Sequence, residues 1–288
     1  MLIPCKEIAM MITQALKSEA FLLKKKGKKL QLVTFLIGQS SQQLSFVKIK
    51  KRVGQNLGIG FSLRLFQHIP PFENFLDLLR QTVADPEVSG VIIQHPLPKN
   101  YDFDDMYAAI PSHKEIEGHT DNSPFVFPLS LAVLTGLKYV YGSQKINDSL
   151  LVNLPKDNQF FRQTLKNKKL VLAGRGPTGG KPIGRALQKI GLNFTVVHSQ
   201  TTNPKTIYQQ ADVIITATGK KIITPSIIKK EVVLLNVGLR RESNVLKGDY
   251  DEPKIAKTAS YYTATPGGLG PIDVLYLYKN LIDAAKMH

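Results

Sequence analysis

The sequence predicts an α/β protein that folds into two domains around parallel β-sheets. The chain has 288 residues, about twice the length of a single domain of roughly 150 residues. Short apolar runs alternate with segments of helical periodicity before residue 143, and the alternation starts again near residue 169. Strands that alternate with helices favour parallel sheets. Hydrophobic residues make up 43% of the chain, which is enough to fill two cores.

The first half of the chain begins with a helical apolar pattern at Ile8, Ile12 and Leu16. The elements expected after it are strands at 31–37, 62–66 and 90–94 and helices at 45–57 and 72–83. The following stretch, 143–167, is polar and contains several Asn residues, which predicts an irregular linker or an insertion.

The second half repeats the alternation of strands and helices. Its expected elements are strands at 169–173, 194–197, 212–216 and 232–236, a helix at 182–190 and a last helix at 272–285.

The chain is strongly basic: 38 Lys and Arg residues against 22 Asp and Glu residues give a net charge of +16 and a pI near 9.7. Such a charge suits either nucleic acid or an anionic small molecule. The densest basic cluster, residues 24–29, lies where the first helix is expected to end, and cations are favourable there. Because no nucleic-acid-binding motif accompanies it, we do not expect specific nucleic-acid binding.

The cysteine content and the hydropathy exclude several further classes of protein. Cys5 is the only cysteine, which excludes an internal disulfide and a cysteine-based zinc cluster. No apolar run approaches the roughly 18 residues of a membrane span, and the acidic residues near the N-terminus are unlike a secretory signal. We therefore expect a soluble, cytoplasmic protein with no membrane partner and no metal site.

A glycine-rich segment follows the strand expected at 169–173. Gly174, Gly176 and Gly179 have Gly-x-Gly-x-x-Gly spacing between that strand and a helix. Glycines allow the tight turn and the close backbone approach, while the helix N-terminus offers N–H groups to a pyrophosphate. This context favours dinucleotide binding over a simple glycine turn.

The residues after the next strand favour NADP over NAD. An NAD site usually has an acidic residue at the end of this strand, but here the strand is followed by His198 and Ser199, with Arg175 in the glycine loop. A cation and two donors suit a 2′-phosphate. The alternative is that His198 and Arg175 are solvated surface residues.

Lys50 has an unusual position in the helix expected at 45–57. Phe46, Ile49, Val53 and Leu57 form an apolar stripe, and Lys50 falls inside its edge. The lysine can extend its amine into water, or it can be a catalytic amine whose pKa is lowered by burial.

Three other segments contain residues that can meet this lysine. Gln94 ends a buried strand, Glu115 and Glu117 follow later in the chain, and a rigid Gly/Pro loop at 265–271 precedes the last helix. Carboxyl ends of strands are where ligands bind in α/β folds. Each segment taken alone also has a purely structural interpretation.

Together these segments resemble the methylenetetrahydrofolate dehydrogenase/methenyltetrahydrofolate cyclohydrolase family. The matches occur in the family's order along most of the chain, at residues 46–50, 94–98, 114–118, 174–182, 198–201 and 266–271. The resemblance implies a folate-facing α/β domain over 1–143, a Rossmann-type NADP-binding domain over 144–271, a C-terminal helix at 272–288 that packs on the first domain, and a homodimer.

The resemblance also implies the reaction and the residues that perform it. The family oxidises 5,10-methylenetetrahydrofolate with NADP and hydrolyses the methenyl product to 10-formyltetrahydrofolate. Lys50 would be the general acid/base of the hydrolysis, Gln94 would orient it, and Glu117 would bind the pterin. The expected substrate-binding residues are Phe46, Pro96, Leu97, Gly267 and Gly268. The expected cofactor-binding residues are Gly174, Arg175, Gly176, Gly179, His198, Ser199, Thr201 and Gly238.

Several positions depart from the family pattern, mainly on the folate side. Phe46 replaces a tyrosine, Glu117 replaces an aspartate, and Gly176 replaces a serine. The family's Pro-Cys-Thr-Pro segment has no clear match near 128–131, and the stretch before the second-domain strand is longer than usual. Three alternatives therefore stay open: a dehydrogenase with weak or lost cyclohydrolase activity, a non-catalytic NADP- or folate-binding relative, and an unrelated NADP oxidoreductase.

Overall fold

The structure, a computed structural model, describes residues 1–38, 40–243 and 245–287. The chain forms two compact units. The first unit contains Thr13–Pro128 with Val274–His288, and the second contains Met1–Ile12 with Leu129–Asp273. The position of the domain boundary expected at residues 143 and 144 remains a prediction.

Helices and strands account for most of the described chain. The helices are α1 (Cys5–Lys25), α2 (Ser41–Leu57), α3 (Phe72–Ala84), α4 (Phe103–Ala108), α5 (Pro128–Tyr141), α6 (Leu154–Leu165), α7 (Gly180–Ile190), α8 (Pro204–Gln210), α9 (Glu252–Ile255) and α10 (Leu269–Lys286). The strands are β1 (Gln31–Ile37), β2 (Gly60–Phe66), β3 (Gly90–Ile93), β4 (Leu170–Ala173), β5 (Phe194–Val197), β6 (Val213–Thr216), β7 (Val233–Asn236), β8 (Arg240–Glu242), β9 (Val245–Lys247) and β10 (Tyr261–Tyr262). Short 3-10 helices lie at Asp148–Leu150 and Pro225–Ile227.

The first unit is built on a parallel sheet in the order β2-β1-β3. The central strand β1 is buried along nearly its whole length, and β3 is buried at every residue. Helix α3 contributes Phe75, which packs edge-on against Phe35 of β1 with ring centroids 5.5 Å apart. This core supports the carboxyl ends of β1 and β3, where parallel sheets bind ligands.

The second unit is built on a five-stranded parallel sheet in the order β10-β7-β6-β4-β5. Strands β4, β6 and β7 are buried at every residue, as expected where a parallel sheet is covered on both faces. The order reverses at β4, since β5 lies on one side of it and β6 on the other. Such a switch point marks the ligand crevice of a Rossmann-type fold. The predicted α/β fold class is confirmed.

One segment differs from its prediction: the irregular structure expected over 143–167 is wrong. Helix α6 occupies much of it. Asn153 accepts a hydrogen bond from the Lys156 N–H at the helix start, and Pro155 lies in the first turn, both common signals of a helix start. Phe161 of α6 is fully buried, so the segment belongs to the core of the second unit.

The basic cluster at 24–29 coincides with the end of α1. The helix ends at Lys25, and Gly27 has a positive φ of 77°. Four of its lysines, Lys24, Lys25, Lys26 and Lys29, are exposed and Lys28 is partly exposed, which agrees with a solvated helix end. None of the helices within the described residues has the length and apolar character needed to cross a bilayer.

Candidate active site

Lys50 lies in the middle of the buried face of α2, between residues at helical spacing. The buried residues of α2 are Gln43, Val47, Gly54 and Leu57. The stripe predicted from apolar residues is therefore wrong in part. Ile49 is 39% exposed, Phe46 and Val53 are only half-buried, and the buried face is rotated by about one residue. The Lys50 side chain is 15% exposed, so it does not extend fully into water.

Helix α10 holds the backbone of α2 at Lys50. The hydroxyl of Tyr278, a fully buried residue, donates a hydrogen bond of 2.6 Å to the carbonyl of Lys50. Gly54 makes room for this ring, because a Cβ atom there would lie 2.5 Å from the Tyr278 Oη. The turn of α2 that carries Lys50 is thus fixed by a residue 228 positions away in sequence.

Gln94 follows β3 and orients the lysine amine. Its backbone N–H donates to the Phe35 carbonyl at 2.8 Å, which continues the pairing of β1 with β3. Its side-chain Oε1 accepts a hydrogen bond from Lys50 Nζ at 3.1 Å, and its Nε2 donates to the His95 carbonyl at 3.0 Å. Because an ammonium group can only donate, this pattern fixes which way the amide faces.

Glu117 lies on the other side of the lysine amine. Its Oε1 is 3.7 Å from Lys50 Nζ, and its Oε2 is 3.4 Å from His119 Nε2. Burial would raise the pKa of Glu117, but Lys50 and the histidines outweigh it and lower the pKa to about 2. The carboxylate is therefore ionised at neutral pH.

The turn after Glu117 depends on Gly118 and on a second carboxyl. Gly118 has a φ of 71°, and a Cβ there would lie 2.7 Å from the Phe125 carbonyl. Glu115 is 1% exposed, and its two oxygens accept the N–H groups of Glu117 and His119 at 3.1 and 3.0 Å. Burial raises the pKa of Glu115 to about 7. This buried carboxyl shapes the loop that presents Glu117.

Sequence reasoning missed His95 and His119. The two rings lie 5.2 Å apart, and His95 Nε2 is 3.2 Å from the hydroxyl of Tyr107. Burial lowers the pKa of His95, against the opposing effect of Glu117. Both histidines are next to motif residues in the sequence. Their partners, however, lie on α4 and on loops distant in sequence, and no sequence pattern near the histidines predicts that these segments meet.

The expected substrate-binding residues fall in both units. Pro96 follows a cis peptide bond, and its carbonyl accepts a hydrogen bond of 3.0 Å from Gln43 Nε2. Leu97 packs on the core of the first unit, and Phe46 lies one turn before Lys50 on α2. Gly267 and Gly268 belong to the second unit, in the turn at the start of α10. A substrate-binding role for these residues remains a prediction.

The glycine loop joins the carboxyl end of β4 to the N-terminus of α7. Gly174 has a φ of 112°, and a Cβ there would lie 2.5 Å from the Ala217 carbonyl. Gly180 packs even closer, since its Cβ would lie 2.1 Å from the Gly174 carbonyl. At Gly176, no atom of the described residues other than its chain neighbours lies within 4 Å of such a Cβ. Tight backbone packing, an open middle glycine and a helix N-terminus together fit a pyrophosphate.

The residues expected to bind the 2′-phosphate lie near the ends of β4 and β5. Arg175 and Ser199 are exposed, and Arg175 Nη2 donates to the neutral side chain of Gln200 at 3.1 Å. The Thr201 hydroxyl accepts the His198 N–H at 2.9 Å, which closes the turn after β5. The donors are therefore available to an anion, and the segment after β5 carries no acidic residue before α8.

Gly238 lies beyond the carboxyl end of β7, over a buried polar network. A Cβ at Gly238 would lie 2.3 Å from Asp249 Oδ1. Asn236 accepts hydrogen bonds from the Thr216 hydroxyl and the Asp249 N–H, and Thr218 donates to Asp249 from both its N–H and its hydroxyl. Sequence reasoning did not find this network, which fixes the backbone at the ends of β6 and β7.

The first unit carries a shielded lysine–amide–carboxylate cluster, and the second carries a Rossmann-type dinucleotide cradle. A chain with both features is a two-domain, dinucleotide-dependent α/β enzyme. Residues 3–117 match the catalytic-domain model of tetrahydrofolate dehydrogenase/cyclohydrolase, and residues 158–288 match the model of its NAD(P)-binding domain. The chain belongs to the tetrahydrofolate dehydrogenase/cyclohydrolase family, and the predicted family is confirmed.

Curated relatives and solved structures agree with this assignment. The chain is 31% identical to Bifunctional protein FolD of Caldicellulosiruptor saccharolyticus, over 97% of this chain and 98% of that protein. It is 31% identical to Bifunctional protein FolD of Agathobacter rectalis, over 99% of both chains. The crystal structure of the bifunctional methylenetetrahydrofolate dehydrogenase/cyclohydrolase from Campylobacter jejuni is 26% identical, covers 100% of this chain and 99% of its own, and has a TM-score of 0.86.

Proposed function

We propose that this protein oxidises 5,10-methylenetetrahydrofolate to 5,10-methenyltetrahydrofolate with NADP and hydrolyses the product to 10-formyltetrahydrofolate. The observation that carries the proposal is the position of Lys50 Nζ, 3.1 Å from Gln94 Oε1 and 3.7 Å from Glu117 Oε1. A binding protein that had lost its chemistry would have no need of an amine on a buried helix face. The cluster therefore supports catalysis over the non-catalytic alternative.

In the hydrolysis, Lys50 moves the protons. Water adds to the methenyl carbon, and the proton it releases passes to Lys50, which acts as a base in its unprotonated amine form and not as the ammonium. The same amine then returns that proton to the folate nitrogen whose bond to the carbon breaks, while the hydroxyl on that carbon releases its remaining proton to water and becomes the formyl carbonyl. Gln94 Oε1 aims the amine throughout, and the Glu117 carboxylate stabilises its protonated form. A positioned acid/base of this kind contributes roughly 10²–10⁴-fold to a rate.

Glu117 has a second role, toward the substrate. An ionised carboxylate offers about four acceptor positions on its two oxygens, so Glu117 can accept N–H groups of a pterin while it still contacts Lys50 and His119. Phe46 supplies a ring but no hydroxyl. The loss of one neutral hydrogen bond costs only about 0.5–1.5 kcal/mol, so its absence is compatible with an active cyclohydrolase.

In the oxidation, bound NADP would supply the hydride acceptor, and residues of this chain would position it. The loop from Gly174 to Gly180 fits the pyrophosphate. The 2′-phosphate would be bound by Arg175, by Ser199 and by the turn that contains His198 and Thr201. Exclusion of water and alignment of the folate carbon with the nicotinamide are the protein's main contributions to such a step.

Two absorbance assays test the proposal. The protein is first incubated with methylenetetrahydrofolate and NADP or NAD, and then with methenyltetrahydrofolate alone. We expect NADPH formation, a preference for NADP over NAD, and methenyl loss faster than the spontaneous reaction. If the first assay yields no reduced cofactor, the proposed dehydrogenase activity is refuted. If methenyltetrahydrofolate in the second assay is lost only at its spontaneous rate, the protein is a dehydrogenase without cyclohydrolase activity.

The family resemblance also implies a homodimer, and the composition and hydropathy of the sequence predict a cytoplasmic location; both stay predictions. Analytical ultracentrifugation of the purified protein measures the first. A sedimentation coefficient of a 32.0 kDa species at all concentrations would contradict it.

A further inference from the structure

We propose that His119 is a positioning residue for the hydrolysis, which holds one oxygen of Glu117 so that the other faces Lys50. This inference rests on the proposed function. Lys50 Nζ lies 3.7 Å from Oε1 and His119 Nε2 lies 3.4 Å from Oε2, so each carboxylate oxygen faces a different nitrogen, and among the described residues the buried Oε2 makes no hydrogen bond. Both contacts are longer than an ideal hydrogen bond. Catalytic contacts are often long without substrate and tighten when it binds.

The three side chains are shielded from water, which makes their contacts effective. The exposed fractions are 15% for Lys50, 14% for Glu117 and 7% for His119. Charges interact more strongly in such an environment than at the surface. A free carboxylate at this depth would rotate between alternative partners, whereas one held from both sides keeps a single orientation.

The His119 ring is held in place by aromatic neighbours from two segments, α4 and the segment before α5. Its centroid lies 4.8 Å from Tyr107, 5.1 Å from Phe127 and 5.8 Å from Phe103, and the last two contacts are edge-to-face. The backbone of His119 is also fixed, because its N–H donates to the buried Glu115 carboxyl. Ring and backbone together keep Nε2 3.4 Å from Glu117 Oε2.

The charged and titratable groups around Glu117 explain how His119 acts. Lys50 faces it from α2, His119 and Glu115 from its own loop, and His95 from the segment after β3. Burial by itself raises the pKa of Glu117, and contact with Lys50 and His119 reverses that effect. Loss of His119 should therefore raise the pKa of Glu117, and the acidic limb of the cyclohydrolase pH profile should move to higher pH.

The test compares His119→Phe with His119→Gln. Phenylalanine fits the aromatic surroundings but cannot donate, whereas glutamine retains an N–H donor at a similar reach. The exposed His68 provides a matched control, His68→Gln. The measurements are cyclohydrolase kcat and KM against pH, and a carbon-13 NMR titration of the Glu117 carboxyl, which needs no turnover.

We expect His119→Phe to lower cyclohydrolase kcat by roughly ten- to a hundredfold, since displacements near 1 Å can cost about that much. In His119→Phe, the acidic limb of the kcat–pH profile and the Glu117 titration should both move to higher pH. His119→Gln should show smaller shifts of the limb and of the titration. His68→Gln should match the wild type. An unmoved Glu117 titration in His119→Phe, or equal behaviour of the Phe and Gln variants, would overturn the inference. Absence of cyclohydrolase activity in the wild type would instead refute the proposed function, and the titration would still decide whether His119 controls Glu117.

Discussion

Gly54→Ala tests whether the contact between α2 and α10 positions Lys50. The new Cβ would lie 2.5 Å from the Tyr278 Oη and 2.9 Å from its Cζ, about 0.9 Å short of ordinary contact near 3.4 Å. The ring is fully buried and its hydroxyl donates to the Lys50 carbonyl. Because the ring is shielded on all sides from solvent, we expect the two helices to separate.

The structure sets the expected size of the effects of Gly54→Ala on stability and on cyclohydrolase activity. Overpacking costs about 1–3 kcal/mol, and the gain in helix propensity from Gly to Ala offsets about 1 kcal/mol. The net loss in the free energy of unfolding should be about 0–2 kcal/mol. A shift of Lys50 approaching 1 Å should reduce cyclohydrolase kcat by roughly ten- to a hundredfold. The variant should therefore lose far more cyclohydrolase activity than stability.

The assay for Gly54→Ala pairs urea denaturation with methenyltetrahydrofolate hydrolysis. Gly184→Ala in α7 is the matched control, because its Cβ would lie 3.4 Å from the nearest atom, a ring carbon of Phe194. That control should keep or gain stability. Full cyclohydrolase activity in a folded Gly54→Ala protein would refute the role of the Tyr278 contact in placing Lys50.

Three further predictions concern other parts of the chain. Arg175→Gln should raise the KM for NADP by roughly 10–100-fold, because a hydrogen bond to a charged group contributes about 1.5–3 kcal/mol. The KM for NAD, which has no 2′-phosphate, should stay nearly unchanged. Equal effects on the two KM values would contradict a contact between Arg175 and the 2′-phosphate. Phe161→Ala should lower the free energy of unfolding by about 3–5 kcal/mol, measured in urea, whereas a neutral result would mean that α6 is not packed. Burial raises the pKa of Glu115 from 4.5 to about 7, so the folded state keeps a proton that the unfolded state releases. This contribution to stability is complete below pH 4.5 and is lost as the pH rises to about 7. Glu115→Gln should flatten the unfolding free energy across that range, and an unchanged pH dependence would refute the assignment.

The elements of the fold were largely predictable because most strands are short apolar runs bounded by polar residues or glycine. The bounds of β1 and β5 match their predictions, since both are short apolar runs ended by polar residues or glycine. Helix α6 was missed because only a narrow line of its residues is apolar, although the caps at Asn153 and Pro155 were visible in the sequence. Polar composition there reflects an exposed outer face and not an absence of structure.

The candidate site was predictable in its members more than in its geometry. Motif order identified Lys50, Gln94 and Glu117, but the apolar pattern of α2 placed Lys50 at the edge of the wrong stripe. The buried face of α2 contains polar and small residues, because Gln94 meets it from the segment after β3 and Tyr278 meets it from α10. Those partners are distant from α2 in sequence, so the residue pattern of α2 alone does not reveal them. The same applies to His119, whose contacts come from α4 and from the segment before α5.

The most direct test of the account is the hydrolysis of methenyltetrahydrofolate by Lys50→Met, measured beside the wild type and corrected for the spontaneous reaction. Methionine keeps an unbranched side chain on the buried face of α2 and removes the amine. We predict that the wild type accelerates the hydrolysis, that Lys50→Met loses roughly 10²–10⁴-fold of that rate, and that the variant remains folded. An equal rate in the folded variant would contradict Lys50 as the general acid/base of the cyclohydrolase.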